Sequence, residues 1–95
     1  MNKIYVITVI QESNDNPIWN RSPKVCFTDK KKAVDEMHAI VNQDQQDFKQ
    51  NEIEIKSIEV AEMDRDGNIV EIMMDMDSVW ITYTVTELSV LNSAD

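Results

Sequence analysis

Ninety-five residues with 18 acidic and 9 basic side chains carry a formal charge of −9, and a chain of this length is one domain that buries roughly 60–65% of its unfolded surface. Apolar residues make up 42% of it, enough for one core and against wholesale disorder. A pI near 4.4 excludes the basic footprint of a direct nucleic-acid binder and attachment to anionic lipid, so a partner selected by charge is basic.

From Lys3 to Glu12 the run Ile-Tyr-Val-Ile-Thr-Val-Ile is β-branched or aromatic at almost every step, which predicts a strand in the middle of a sheet. It is too short to span a bilayer, and no small-residue cleavage site precedes the polar stretch from Gln11 to Asn16. No other stretch approaches membrane length, and Cys26, the one cysteine, permits no disulfide within the chain. Together these point to a soluble protein of the reducing cytoplasm. Ser13 to Pro17 is dense in turn formers, and the segment around Ile18 and Trp19, bounded by Pro17 and Pro23, cannot sit inside a ladder. The chain is then expected to return in a short edge strand from Lys24 to Phe27, with Cys26 as a small buried hydrophobe.

Thr28 is the expected N-cap of the one helix, with Asp29 in its first turn. Ala33, Val34, Met37, Ile40, Val41 and Phe48 fall at helical spacing and define a stripe that lies on the sheet. Lys30, Lys31 and Lys32 crowd the first turn against the helix dipole. The Gln- and Asp-rich stretch from Asn42 has only Phe48 as an anchor, so fraying is expected before an end near Asn51.

Beyond the helix the period falls to two. Glu52-Ile53-Glu54-Ile55 alternates cleanly, Ile58 and Val60 have the opposite parity, and a bulge near Lys56-Ser57 reconciles them. Asp64-Arg65-Asp66-Gly67-Asn68 is a hairpin turn whose sole glycine supplies a positive φ, and Ile69 to Met74 is the returning strand. In the last strand Val79, Ile81, Tyr83 and Val85 face the helix, while Trp80, Thr82, Thr84 and Thr86 face outward. The tail from Leu91 to Asp95 reads as frayed. The pattern predicts an α+β, two-layer domain over residues 1–95: one helix on a mostly antiparallel sheet of about five strands, in the order β-β-α-β-β-β.

The charge is not evenly spread. Residues 1–50 hold 7 basic and 7 acidic side chains, and residues 51–95 hold 2 and 11. Nine of these acids, Glu52, Glu54, Glu59, Glu62, Asp64, Asp66, Glu71, Asp75 and Asp77, fall on two consecutive predicted strands and their turns. Acids two apart on a strand stand about 6.6 Å apart on one face, the spacing of Glu52 with Glu54, Asp64 with Asp66 and Asp75 with Asp77. Such a row can present regular negative charge to a basic groove that otherwise holds a phosphate backbone. In size, acidity and economy of fold the chain resembles small phage- or mobile-element-encoded inhibitors such as anti-CRISPR proteins, and acidic immunity proteins that neutralise nuclease toxins. The competing reading is the ordinary solvated face of an antiparallel sheet.

Chemistry of other kinds lacks its residues. Asp64 to Asp75 echoes a calcium loop, but its glycine stands at the fourth position instead of the sixth and its flanks read as strands. A weak divalent site from Asp64, Asp66, Asp75 or Asp77 is the residual alternative. His38 sits at the edge of the helix stripe with no nucleophile beside it, and one glycine excludes a phosphate loop. Met73, Met74 and Met76 fit a core better than an interface, although methionine suits both. The expected function is therefore a non-enzymatic interaction protein, with no catalytic residue, metal or cofactor. The nine acids and Trp80 would meet a basic protein surface, such as that of a nucleic-acid-binding protein, without contact to nucleic acid or membrane. The alternatives are a toxin immunity protein, or an accessory module that forms a homodimer through the threonine face or the sheet edge bearing Trp80. For Trp80 itself the alternative to an interface is packing under the loop that carries Trp19.

Overall fold

The β-branched run near the start of the chain forms β1, Asn2–Ser13, in the computed structural model, which describes residues 2–15 and 17–90. Along its whole length β1 pairs antiparallel with β6, Val79–Val90, from Asn2 opposite Val90 to Ser13 opposite Val79. Two short strands, β2 (Trp19–Asn20) and β3 (Cys26–Phe27), pair with the other edge of β1. The helix α1, Lys30–Gln50, follows, and then β4 (Ser57–Met63) and β5 (Ile69–Asp75) complete the sheet. Its order is β2-β1-β6-β5-β4, with β3 also on β1. The domain is α+β in two layers, one helix on an antiparallel sheet, with the extra pair at Trp19–Asn20 taking the described strands from about five to six. The tail from residue 91 lies outside the described residues.

The core lies between α1 and one face of the sheet. Ala33, Val34, Met37 and Val41 of the helix meet Ile7 and Val9 of β1, Ile72 and Met74 of β5, and Ile81, Tyr83 and Val85 of β6, all buried. The alternation of β6 holds, since its odd residues carry the core and Thr82, Thr84 and Trp80 stand half-buried on the other side. The methionines divide, with Met74 and Met76 in the core and Met73 outside it.

Several local expectations are corrected. Asp29, and not Thr28, is the N-cap: its carboxylate accepts the backbone N–H of Lys31 at 2.9 Å, so no acid remains in the first turn. Aspartate ranks above threonine as a cap, and the adjacent position wins. Lys30 and Lys31 do not stand against the dipole unaided, because they pair with Asp64 and Asp35. The helix does not fray after Asn42, because Asp44 is a second buried anchor.

Glu52 to Ile55 forms no strand. Ile53 N–H donates to Phe48 C=O at 2.8 Å and Glu52 N–H to Lys49 C=O at 3.1 Å, the paired bonds of a Schellman cap, with Glu52 in the left-handed region at φ 60. The alternation that resembled a strand is a helix stop followed by an extended link. The ladder irregularity lies at Val60–Glu62, not at Lys56-Ser57. Cys26 is exposed, since a two-residue strand at the sheet edge gives it nothing to be buried under.

The candidate binding surface

Residues directly opposite in an antiparallel ladder share a face, so the register defines what the side away from α1 presents. Trp80 of β6 lies between Glu12 of β1 and Asp75 of β5, and Asp75 is opposite Ser57 of β4. The next row is Ile10, Thr82, Met73 and Glu59; the one after is Thr8, Thr84, Glu71 and Glu62. Val6 with Thr86, and Ile4 with Leu88, continue along β1 and β6. Among the described residues this open face therefore has an apolar and threonine half on β1 and β6 and an acidic half on β5 and β4, with Trp80 and Met73 between them.

No lysine or arginine occupies any of these register positions, and Glu12, Glu59, Glu62, Glu71 and Asp75 take part in no ion pair among the described residues. Glu71 stands directly opposite Glu62, an arrangement that costs stability through like-charge repulsion. A shallow groove of about 420 Å³ opens at the end of this face between Ser57, Glu59, Met73, Asp75, Asp77 and Trp80.

The structure brings together four of the nine predicted acids, Glu59, Glu62, Glu71 and Asp75, with Trp80. It uses the others differently. Asp64 pairs with Lys30 and accepts the backbone N–H groups of Asp66 at 2.9 Å and Asn68 at 2.8 Å, and the Asn68 side-chain amide at 3.0 Å. The Lys30 ammonium, then the Asn68 amide and the turn's N–H groups, hold its carboxyl well below the usual carboxylate range, against the opposing pull of desolvation. Asp66 is exposed at the tip of that turn. Asp77, at φ 78 in the β5–β6 turn, pairs with Lys56 at 2.8 Å. Glu52 and Glu54 lie off the sheet beyond the helix. None of the three spaced pairs forms a same-face strand pair. The acids gather instead across strands, and Glu12, from the electrically neutral half of the sequence, joins them.

Trp80 and Trp19 do not pack together. Trp19 is opposite Gln11, which is opposite Ile81, so it belongs to the helix side, 60% exposed, with the Arg21 guanidinium 5.6 Å from its ring centre. Arg21 also leads to a network that sequence reasoning missed. Its Nη1 and Nη2 donate to the Asp44 carboxylate at 3.1 and 2.8 Å, Nη1 reaches Gln11 Oε1 at 3.2 Å, and the Tyr83 hydroxyl donates to Asp44 Oδ2 at 2.7 Å. Burial first, and then the Asp44 carboxylate, push the Tyr83 hydroxyl far above its ordinary value. This closed, satisfied set ties the loop after β1 to the helix and to β6.

Asp64, in the β4–β5 turn, and Asp75, the last residue of β5, stand toward opposite ends of that strand, about 20 Å apart at strand rise, too far to share the ion that their spacing suggests. Among the described residues no three histidine, cysteine or acidic side chains converge as a metal cage. His38 stands on α1, across the sheet from the open-face acids, with Nε2 buried and without a hydrogen-bond partner among the described residues. No described helix is long and apolar enough to cross a membrane. Compared with known protein families, with characterised proteins and with solved structures, the chain finds no match.

Proposed function

We propose that this chain is a small, non-enzymatic interaction protein of the cytoplasm that receives a basic protein surface on the acidic half of its open face. The observation that carries this reading is the contrast between two sets of acids. Asp44, Asp64, Asp77 and Glu87 each pair with a cation of the same chain, while Glu12, Glu59, Glu62, Glu71 and Asp75 surround Trp80 and Met73 without an ion pair among the described residues, Asp75 feeling Lys56 only at longer range. Uncompensated like charge on a rigid ladder destabilises the free protein and is relieved by a cationic partner. Trp80 and Met73 give that partner an apolar centre inside a charged rim, the usual arrangement of an interface hot spot. A surface made to hold a phosphate backbone has this complementarity, which makes an inhibitor of a nucleic-acid-binding protein the form of the function we favour.

The test separates the patch from net charge. Immobilised protein is expected to retain basic proteins at low salt and release them at moderate salt, and a labelled duplex should compete for them. The variant E59Q/E62Q/E71Q/D75N should lose this retention. The variant D35N/E36Q/E52Q/E54Q, with the same net charge, should keep it. Equal losses in the two would reduce the binding to overall charge and overturn the proposal. Homodimerisation is the second reading, supported by the run of Ile4, Val6, Ile10 and Leu88 on the same face. It predicts a sedimentation coefficient that rises with concentration and is insensitive to salt.

A further inference from the structure

The two edges of the sheet are finished differently. Between β2 and β3 the outer edge of β1 is closed by the loop: Arg21 N–H donates to Val9 C=O at 2.8 Å, and Val9 N–H donates to Ser22 Oγ at 2.9 Å. The opposite edge is β4, which among the described residues pairs with β5 alone, so every second backbone N–H and C=O along it points away from the sheet.

The side chains of β4 alternate in a way that defines what fits there. Ile58 and Val60 lie on the helix side, opposite Met74 and Ile72. They are 38% and 52% exposed, whereas Met74 and Ile72 are 0% and 6% exposed. The helix lies over β1, β3 and β6, and Ile72 and Met74 of β5 are still buried in the core beside it, so the apolar side of the sheet runs on to β4 beyond that core. Ser57, Glu59 and Glu62 lie on the other side. The irregularity at Val60–Glu62 turns the far end of the strand and leaves Ser57–Val60 as the regular stretch.

We infer that β4 is a pairing edge that accepts an extended segment of the basic partner, one in which lysine or arginine alternates with aliphatic residues. The inference rests on the basic-partner reading and specifies the backbone geometry of the contact. Added as a further strand along Ser57–Val60, such a segment places a cation against Glu59, with Glu62 just past the irregularity, and its aliphatic side chains over Ile58 and Val60, while the ladder supplies main-chain hydrogen bonds. A second copy of β4 matches poorly, because it sets the same glutamates against each other and brings together two chains that each carry a charge of −9.

The experiment uses the full chain, isotopically labelled, and a short capped peptide alternating Lys and Val. A control peptide of the same sequence is N-methylated at alternate residues along one edge. At low salt the unmodified peptide should slow amide exchange at every second residue of Ser57–Val60. The N-methylated peptide has the same charge but has lost at least two ladder hydrogen bonds, so it should bind about tenfold or more weakly. The V60P variant should lose the protection as well; if it does not fold, the methylated peptide still decides the matter. Equal binding of the two peptides overturns the inference. So do shifts confined to the Trp80 face, which leave the basic-partner reading in place. Protection of β4 that grows with protein concentration alone assigns the edge to a second copy and also overturns it. Protection that persists undiminished in E59Q/E62Q/E71Q/D75N keeps the pairing edge and removes the acidic reading instead.

Discussion

Replacing Asp44 with leucine is the most informative perturbation of the fold, because this carboxylate, 5% exposed, accepts two bonds from Arg21 and one from Tyr83. Removing one partner of a buried ion pair costs about 3–5 kcal/mol. The Arg21 side chain is 24% exposed and can turn to water, which places its share at the lower end of that range. The Tyr83 hydroxyl, on a residue that is 0% exposed, keeps only Met74 Sδ at 3.9 Å and adds about 1–3 kcal/mol for a buried donor without a good acceptor. Leucine recovers part of this by burying apolar surface, so the net loss is about 3 kcal/mol. A domain of this size holds about 5–14 kcal/mol in all. Urea denaturation followed by circular dichroism should show the midpoint falling by roughly 1.5–3 M for a slope of about 1–2 kcal/mol per molar. The triple variant R21M/D44L/Y83F strands no fully buried polar group, since Gln11 is half-exposed and can turn to water, and should return to within about 1 kcal/mol of the parent. A D44L midpoint close to the parent, or a triple variant no better than D44L, would refute the claim that the network is a closed set of mutually dependent groups.

Glu52 holds a left-handed φ at the end of the helix, where glycine has no side-chain penalty; E52G should therefore stabilise by about 1 kcal/mol, read as a rise of about 4–8 °C in Tm, whereas E54G should not. The carboxyl of Asp64 is depressed by folding, so its stabilisation is complete above the ordinary carboxylate range and is lost as pH falls through the folded value. D64N should accordingly be less stable than the parent at pH 7, with the gap narrowing below about pH 4 in a series of denaturation curves. M74A should cost about 2–5 kcal/mol in denaturant, since Met74 is 0% exposed, while M73A, 40% exposed on the open face, should change partner binding and leave the midpoint nearly unmoved.

The main elements were legible where a single period dominates. The alternation of Val79, Ile81, Tyr83 and Val85 with Trp80 and the threonines assigns both faces of β6, and the stripe through Val34, Met37 and Val41 assigns the buried side of α1. Legibility fails where the decisive contact is distant in sequence. Asp44 reads as one more polar residue in a polar stretch, and Arg21, 23 positions away, with Tyr83, 39 positions away, accounts for its burial. Glu52 to Ile55 satisfies the two-residue period while its backbone satisfies Phe48 and Lys49. The candidate surface was half legible for the same reason. Spacing along a strand grouped Asp64 with Asp66, which a turn consumes, whereas ladder register groups Glu71 with Glu62 and carries in Glu12 from the far side of β6.

The pairing of Asn2 with Val90 has a consequence for how the chain is made. In order of synthesis β1 is the first strand to emerge and β6 the last, yet these two form the middle of the sheet. The helix and the β4–β5 hairpin rest on contacts close in sequence and can form while translation continues, but the aliphatic run of β1 waits for its partner throughout. A nascent chain halted before Val79 holds a helix, a hairpin and an apolar strand matched along one edge only, all made for a ladder that has not yet left the ribosome.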